Sequence, residues 1–201
     1  MNLYFDLETI PAPEALRKVV VEAERKKKRN EGIADDDEAL YRASAVSGDF
    51  GRIFCIGYAL DEGETQIISG EESQIISKWW EVAKNVNCFI GHNILDFDIP
   101  FLYKRSIVLK CRPSQLVPVK KFQTDNVFDT QKEWSRWDYQ GGISLHNLSI
   151  ALNLPSSKDG GIDGSQVYDF YLANKHNEIY EYCKRDVELT RKVYRRMRFL
   201  D

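Results

Sequence analysis

Short hydrophobic runs alternate with longer amphipathic stretches along this chain. Five of the runs predict β-strands, because they are short, rich in β-branched and aromatic residues, and bounded by turn residues. The predicted strands span residues 3–7, 53–60, 64–69, 88–91 and 126–130. Since only the Glu62-Gly63 turn separates the second run from the third, these two are predicted to form an antiparallel hairpin.

Hydrophobic residues at helical spacing predict helices at 15–29, 71–87, 98–106, 144–152, 165–173 and 177–198. Strands joined through helices are parallel, whereas a hairpin is antiparallel. The expected fold is therefore α/β, with a central mixed five-stranded sheet flanked by helices. We predict one domain over residues 1–201, with a charged helical insertion at about 12–50 after the first strand.

Composition limits the class of protein. No hydrophobic run approaches the ~18–20 residues that cross a membrane, so we expect a cytoplasmic protein without a membrane partner. The four cysteines are far apart and form no CxxC pair, which favours free thiols over disulfides or a zinc site. The net charge of -3 provides no general attraction for nucleic acid. It does not exclude a nucleic-acid enzyme, because bound divalent cations reverse the field of an acidic cleft.

Asp6 and Glu8 are the first candidates for a functional site. Positions i and i+2 of a strand point to the same side, so both carboxylates emerge together. Two adjacent carboxylates repel each other unless a cation lies between them, and oxygen ligands suit Mg²⁺ or Mn²⁺. The alternative is a strand that runs into solvent, with acidic residues there by chance.

Asp98 follows the fourth predicted strand, at the start of a helix that has Pro100 in its first turn. One interpretation is a helix N-cap, which is a common structural role for aspartate. The other is a third carboxylate at the strand end, where α/β sheets gather their ligands. Asp96 competes for that role, but its position predicts an exposed neighbour.

Tyr182 and Asp186 lie four residues apart on the last helix, so they share one face of it. The structural alternative is a tyrosine in the core and an exposed aspartate. Asp186 lies among hydrophobic positions rather than beside Lys184 and Arg185, which favours a shared functional face.

The order of these segments resembles the three exonuclease motifs of the DEDD superfamily. The segments are Asp6-Leu7-Glu8, N-x3-F-D-x-P at 93–100 and Y-x3-D at 182–186. The histidine branch of that superfamily has His five residues before its last aspartate, where this chain has Glu181. The tyrosine branch is therefore the match.

More of the sequence is similar to stand-alone proteins related to the exonuclease domain of family B DNA polymerases. The matching segments are DLETIP at 6–11, GHN at 91–93, FDIPFL at 97–102, SLHNLSIALNLP at 144–155, KDGGIDGSQV at 158–167 and YCKRDVELT at 182–190. This resemblance implies a ribonuclease-H-like (DnaQ-like) exonuclease fold.

The resemblance also implies a site and a reaction. Two divalent cations, Mg²⁺ or Mn²⁺, are expected at Asp6, Glu8, Asp98 and Asp186. Tyr182, whose ordinary pKa is ~10, is expected to orient the attacking water rather than to act as its base. The implied reaction is 3′–5′ exonuclease hydrolysis of single-stranded nucleic acid, with DNA favoured over RNA and nucleoside 5′-monophosphates released.

Substrate contacts are expected at Thr9, Ile10, Asn93, Phe97 and Lys158, although core packing explains Phe97 equally well. A basic stretch over 104–121 is a further candidate track for the nucleic-acid backbone. Two alternatives stay open: a catalytically silent nucleic-acid-binding or interaction domain on the same fold, and an endonuclease of the ribonuclease H type. No protein partner is predicted.

Overall fold

The computed structural model describes residues 1–29, 36–119, 126–138, 141–156 and 161–200. These residues include a five-stranded mixed sheet in the order β3-β2-β1-β4-β5. The strands are β1 Asn2–Ile10, β2 Arg52–Leu60, β3 Gln66–Ser69, β4 Cys88–Gly91 and β5 Val127–Asp129. Pairs β1–β2 and β2–β3 are antiparallel, and pairs β1–β4 and β4–β5 are parallel. The predicted mixed α/β sheet is confirmed.

Helices connect and flank the strands. They are α1 Arg17–Arg29, α2 Asp37–Ala43, α3 Glu72–Ala83, α4 Asp98–Val108, α5 Thr130–Trp134, α6 Leu145–Ala151, α7 Val167–Leu172 and α8 His176–Met197. The sequence pattern did not predict α5, because a single turn is too short to show helical periodicity. Its N-cap Asp129 accepts hydrogen bonds from the backbone N–H groups of Gln131 and Lys132, which starts the helix.

The alternation of side chains along β1 assigns its residues to two layers. Leu3, Phe5 and Leu7 belong to the core cluster that contains α3 and α4 residues. Tyr4 points to the opposite side, where it packs with Val187 of α8. Since Asp6 and Glu8 share the parity of Tyr4, they face α8.

A β-bulge lies opposite the acidic end of β1. Glu8 pairs with Cys55 and Thr9 pairs with Ile53, so Phe54 is the extra residue of β2. Phe54 and Cys55 therefore both belong to the cluster on the α8 side. The bulge adds twist and brings a large aromatic side chain under this end of the sheet.

The insertion forms a helical pair, α1 and α2, between β1 and β2. A small core holds it, in which the hydroxyl of Tyr41 donates to the carbonyl of Ala12 at 2.6 Å. Arg42 of α2 donates a hydrogen bond to Asp169 of α7 at 2.8 Å. This contact attaches the two helices of the insertion to α7. The extent of the domain, residues 1–201, stays a prediction. Within the described residues, no helix is both long and hydrophobic enough to span a membrane.

The basic segment at 104–121 is less available to nucleic acid than its sequence suggests. Arg105 is buried and donates two hydrogen bonds, of 2.8 and 2.9 Å, to Glu72. Lys104 pairs with Asp49 at 2.8 Å. Lys120 and Lys121 lie outside the described residues.

Arg105→Ala should destabilise the fold by about 3–5 kcal/mol, because it leaves the carboxylate of Glu72 buried without its ionic partner. Urea denaturation measures this change. Lys104→Ala is the matched control, since its ion pair with Asp49 is exposed and is expected to contribute at most about 1 kcal/mol. Equal losses in the two variants would contradict the assignment of a buried pair.

Candidate active site

The carboxyl end of β1 brings Asp6 and Glu8 to the interface with α8. Glu8 is 6% exposed, and Asp6 is partly buried. Ligand atoms of Asp6, Glu8 and the Cys183 thiol all lie within 4.8 Å of one another. The alternative of a strand running out into solvent is therefore wrong.

Asp98 contributes a third carboxylate, and its role as a helix N-cap is wrong. Helix α4 begins at Asp98 itself, and its N-cap, Phe97, makes no capping side-chain bond. The Asp98 carboxylate instead accepts a hydrogen bond of 3.1 Å from the Leu7 backbone N–H, between the two acids of β1. Asp96 is exposed and pairs with Lys132.

Tyr182 and Asp186 lie on the buried face of α8, each 8% exposed. The alternative of an exposed Asp186 is therefore wrong. Helix α8 approaches the sheet closely because Gly57 of β2 lacks a side chain: a Cβ there would lie 2.8 Å from the sulfur of Cys183. Cys183 in turn donates to the backbone carbonyl of Asp6 at 3.6 Å, which fixes α8 against β1.

Mutual repulsion and burial dominate the electrostatics of these acids. Burial raises the pKa of Asp6 well above its ordinary value, and the charges of Asp186 and Asp98 raise it further. Burial, then the charges of Asp6, Asp186 and Asp98, raises the pKa of Glu8 in the same way. The charges of Asp98 and Asp186 thus act on both acids of β1, which places these carboxylates in one electrostatic cluster.

Burial is also the main cause of the raised pKa values of Asp98 and Tyr182. Burial raises the pKa of Asp98 from 3.8 to about 8, against the lowering effect of the hydrogen bond from Leu7. Burial also raises the pKa of Tyr182 above its ordinary value of 10, and the charges of Asp186 and Glu8 add to the shift. Tyr182 therefore stays protonated at neutral pH and acts as a hydrogen-bond donor.

Asp129 is a buried neighbour of Asp98 that the sequence motifs do not include. It is buried at the end of β5 and accepts hydrogen bonds from the backbone N–H groups of Asn93 and Leu95, at 2.9 and 3.0 Å. These bonds hold the segment that leads into Asp98. Its role depends on partners that lie 36 and 34 residues earlier in the chain, which local sequence patterns do not reveal.

A polar pocket of about 440 Å³ opens beside Tyr182 and Asp186, and the sequence analysis missed its walls. The walls come from two segments on either side of residues 157–160, and they are Ser144, Leu145, His146, Asp163, Gly164 and Ser165. Gly164 lies next to the phenol, since a Cβ there would be 3.9 Å from the Tyr182 oxygen. The pocket gives solvent and ligands a route to the acids.

The predicted substrate residues have different surroundings. Thr9 is half-buried at the edge of the site, whereas the side chain of Ile10 is buried in the core next to Tyr182. Asn93 adopts a left-handed backbone (φ 64°), which asparagine tolerates. Phe97 packs against the core and its ring lies 5.5 Å from that of Phe101. Lys158 lies outside the described residues.

The donor set fits divalent cations. Carboxylate oxygens are the ligands that Mg²⁺ and Mn²⁺ prefer. Burial, followed by the charges of neighbouring acids, raises the pKa values of Asp6, Glu8 and Asp98. A cation would remove that repulsion and allow all the acids to ionise.

Comparison with known proteins identifies the family of this chain. A protein-family model described as a predicted 3′–5′ exonuclease related to the exonuclease domain of PolB matches residues 50–201. The chain belongs to this family. The matched segment includes Asp98, Tyr182 and Asp186, and it begins after Asp6 and Glu8. Membership confirms the resemblance seen in the motifs. No match was found among curated proteins.

Solved structures show the same fold. The family B DNA polymerase from the hyperthermophilic archaeon Pyrobaculum calidifontis superposes with a TM-score of 0.57 over 97% of this chain. The sequence identity is 15%, and the match covers 24% of the polymerase chain. At this identity the likeness shows the fold alone, and it confirms the predicted ribonuclease-H-like architecture.

The acid cluster should make the metal-free protein less stable as the pH rises. A carboxyl whose pKa is raised by folding contributes stability that is complete below its unfolded pKa and lost as the pH passes its folded pKa. For Asp98 this window runs from 3.8 to about 8. We expect the free energy of unfolding in a chelator to fall between about pH 5 and pH 9, and Mg²⁺ or Mn²⁺ to restore it.

Denaturation in urea across this pH range measures the effect. Asp98→Asn should flatten the pH dependence, because it removes one titrating group and relieves repulsion. The matched control, Asp96→Asn, should keep the full slope, since Asp96 is exposed. Identical slopes in all three proteins would show that the cluster does not control stability.

Proposed function

We propose that this protein is a metal-dependent 3′–5′ exonuclease that shortens single-stranded nucleic acid and releases nucleoside 5′-monophosphates. One observation carries the proposal. In a chain of the exonuclease family, three separate elements bring four acids and a tyrosine to one site at the carboxyl end of β1. DNA is the favoured substrate over RNA, and the four free thiols fit a reducing cytoplasm.

Asp6, Glu8, Asp98 and Asp186 would hold two divalent cations, Mg²⁺ or Mn²⁺. Bound there, such ions activate water and stabilise the charge that develops on the phosphate and on the leaving oxygen. Asp6 would be the central member of this ligand set, because the charges of Asp186 and Asp98 raise its pKa and its own charge raises that of Glu8. The carboxylate of Asp98 accepts a hydrogen bond from the Leu7 N–H, so its position is set before any ligand binds.

Tyr182 would orient the attacking water. Its phenol hydrogen-bonds Asp186, and its raised pKa keeps the proton on the oxygen. A protonated phenol next to a carboxylate can hold a water molecule in line with the phosphorus, but it cannot remove that molecule's proton. Its contribution is therefore positional.

Substrate would enter over the end of β1. Backbone groups of Thr9 and Ile10 are the proposed contacts for the terminal nucleotide, because the side chain of Ile10 is committed to the core. Asn93 and Phe97 border the same end of the sheet, and Lys158 is the proposed contact to a phosphate.

Incubation with 5′-labelled single-stranded DNA or RNA and Mg²⁺ or Mn²⁺ tests the activity. We expect a ladder that shortens from the 3′ end, faster on DNA. Asp6→Asn should lose about 10³-fold or more in rate, since removing several kcal/mol of charge stabilisation corresponds to that factor. Asp96→Asn is the control and should keep full activity, because it pairs with Lys132 on the surface.

Other products of this assay would overturn the proposal. Internal cuts would indicate an endonuclease. The absence of metal-dependent cleavage on both substrates would indicate a silent binding domain on the exonuclease fold.

Tyr182→Phe should lower the turnover rate by about 10²-fold, the size of a small misplacement of a reacting group. Binding of Mg²⁺ or Mn²⁺ should stay intact, because the four acids are unchanged. The rise in melting temperature on adding either ion measures this binding. Tyr180→Phe is the matched control, two residues away and stacked on Phe54. Unchanged turnover in Tyr182→Phe would remove this residue from the mechanism.

A further inference from the structure

A groove of about 470 Å³ lies between α5 and the C-terminal end of α8, away from the acids. Phe128 of β5 and Leu152 border it on the inside. Its outer walls carry aromatic and charged residues: Glu133, Trp134, Arg136, Arg196, Arg198 and Phe199. The combination of arginines and aromatic rings is typical of surfaces that bind single-stranded nucleic acid.

The charge of the groove differs from that of the protein as a whole. The chain has a net charge of -3, yet three arginines and one glutamate line this groove. Arg136 is 86% exposed on its side chain and reaches Glu133 only at 3.9 Å. Its guanidinium is thus directed to solvent, where a phosphate can approach it.

Three cations of the other basic segments are already engaged with carboxylates. Arg105 pairs with Glu72 and Lys104 with Asp49. On α1, Lys26 pairs with Glu22. Arg136 of the groove is more exposed than these three cations, and its contact with the carboxylate of Glu133 is longer than theirs.

Exposed aromatic rings supply the second part of the surface. Phe199 is 91% exposed and Trp134 is 41% exposed, so both rings are accessible to a base. Arg198 lies over the ring of Phe128, 6.0 Å from its centre. Both Arg136 and Phe199 have left-handed backbones, with φ of 53° and 55°. Such backbones cost energy in residues other than glycine, and they turn these two side chains outward.

The groove is within reach of the acid cluster. Asp186 and Arg196 lie ten positions apart on α8, which corresponds to ~15 Å along the helix axis. Phe128, on the groove side, directly precedes Asp129 of β5. Helix α6 packs on the intervening part of α8 through Leu148, Leu189 and Val193, so a strand with its 3′ end at the acids would reach the groove by passing over α6.

We propose that this groove binds the single strand upstream of the cleaved bond, by stacking bases on Trp134 and Phe199 and holding phosphates with Arg136 and Arg198. This inference rests on the proposed exonuclease function, because it assumes a strand whose 3′ end reaches the acids. It predicts that affinity and cleavage efficiency increase with substrate length.

Binding of fluorescent oligothymidylate tests the groove, with one probe of about twelve nucleotides and one of about three. In an Asp6→Asn background, Phe199→Ala should weaken binding of the long probe by about five- to a hundredfold, the range for loss of one stacked base. Arg136→Gln should lower the slope of log affinity against log salt by about 0.7, the value for one phosphate contact on a single strand. The short probe should bind as before.

Arg195→Gln is the matched control, because Arg195 lies on the same helix end but bonds Glu62 at 2.6 Å. This substitution should leave the binding of both probes unchanged. Melting temperatures of all variants should match the parent protein, since Arg136 and Phe199 are largely exposed. In the otherwise wild-type chain, the groove variants should cleave the long substrate less efficiently and the short one equally well.

Three results would overturn the proposal that this groove binds the single strand. The long probe could bind all variants equally, or the short probe could lose as much affinity as the long one. Sedimentation could instead show a dimer that Phe199→Ala dissociates without loss of oligonucleotide binding, which would make the groove a contact between two copies. Failure of the exonuclease proposal gives a different result. The wild-type chain would then bind the long probe through the groove but cleave neither probe.

Discussion

Four carboxylates share one buried region, and their mutual repulsion is the constraint on which the rest of the structure depends. Burial raises the pKa of Asp6, Glu8 and Asp98, and the charges of neighbouring acids raise each of these pKa values further. Without a cation, the folded state must either keep some of these acids protonated or tolerate the repulsion. The free-energy cost of burying these acids together is confined to this site. Contacts elsewhere in the fold hold the acids in place despite that cost.

The compensation is visible in how each acid is held. Asp98 accepts a backbone hydrogen bond from β1, and the segment before it is held by the buried carboxylate of Asp129. Gly57 and Cys183 allow α8 to lie close enough to place Asp186 against the sheet. Each of these contacts joins segments that are distant along the chain, so the site forms only when the whole sheet has assembled.

The periphery follows a different rule. The insertion and α4 neutralise most of their cations locally, through pairs such as Lys26–Glu22 and Arg105–Glu72. Exposed pairs of this kind contribute little to stability, whereas the buried pair is needed once Glu72 has been buried. These pairs occupy Lys104 and Arg105 of the basic stretch, whereas three arginines and one glutamate line the groove at the end of α8.

Sequence alone determined the element order, the mixed sheet and the five candidate catalytic residues, because strand alternation, helical spacing and motif order are local properties. It could not decide whether Asp98 caps its helix or faces the acids, since that depends on the N–H of Leu7 across the sheet. Asp129, the bulge at Phe54 and the groove beside Phe199 were invisible for the same reason. Each exists only through partners far away in the chain, and tertiary packing alone brings those partners together.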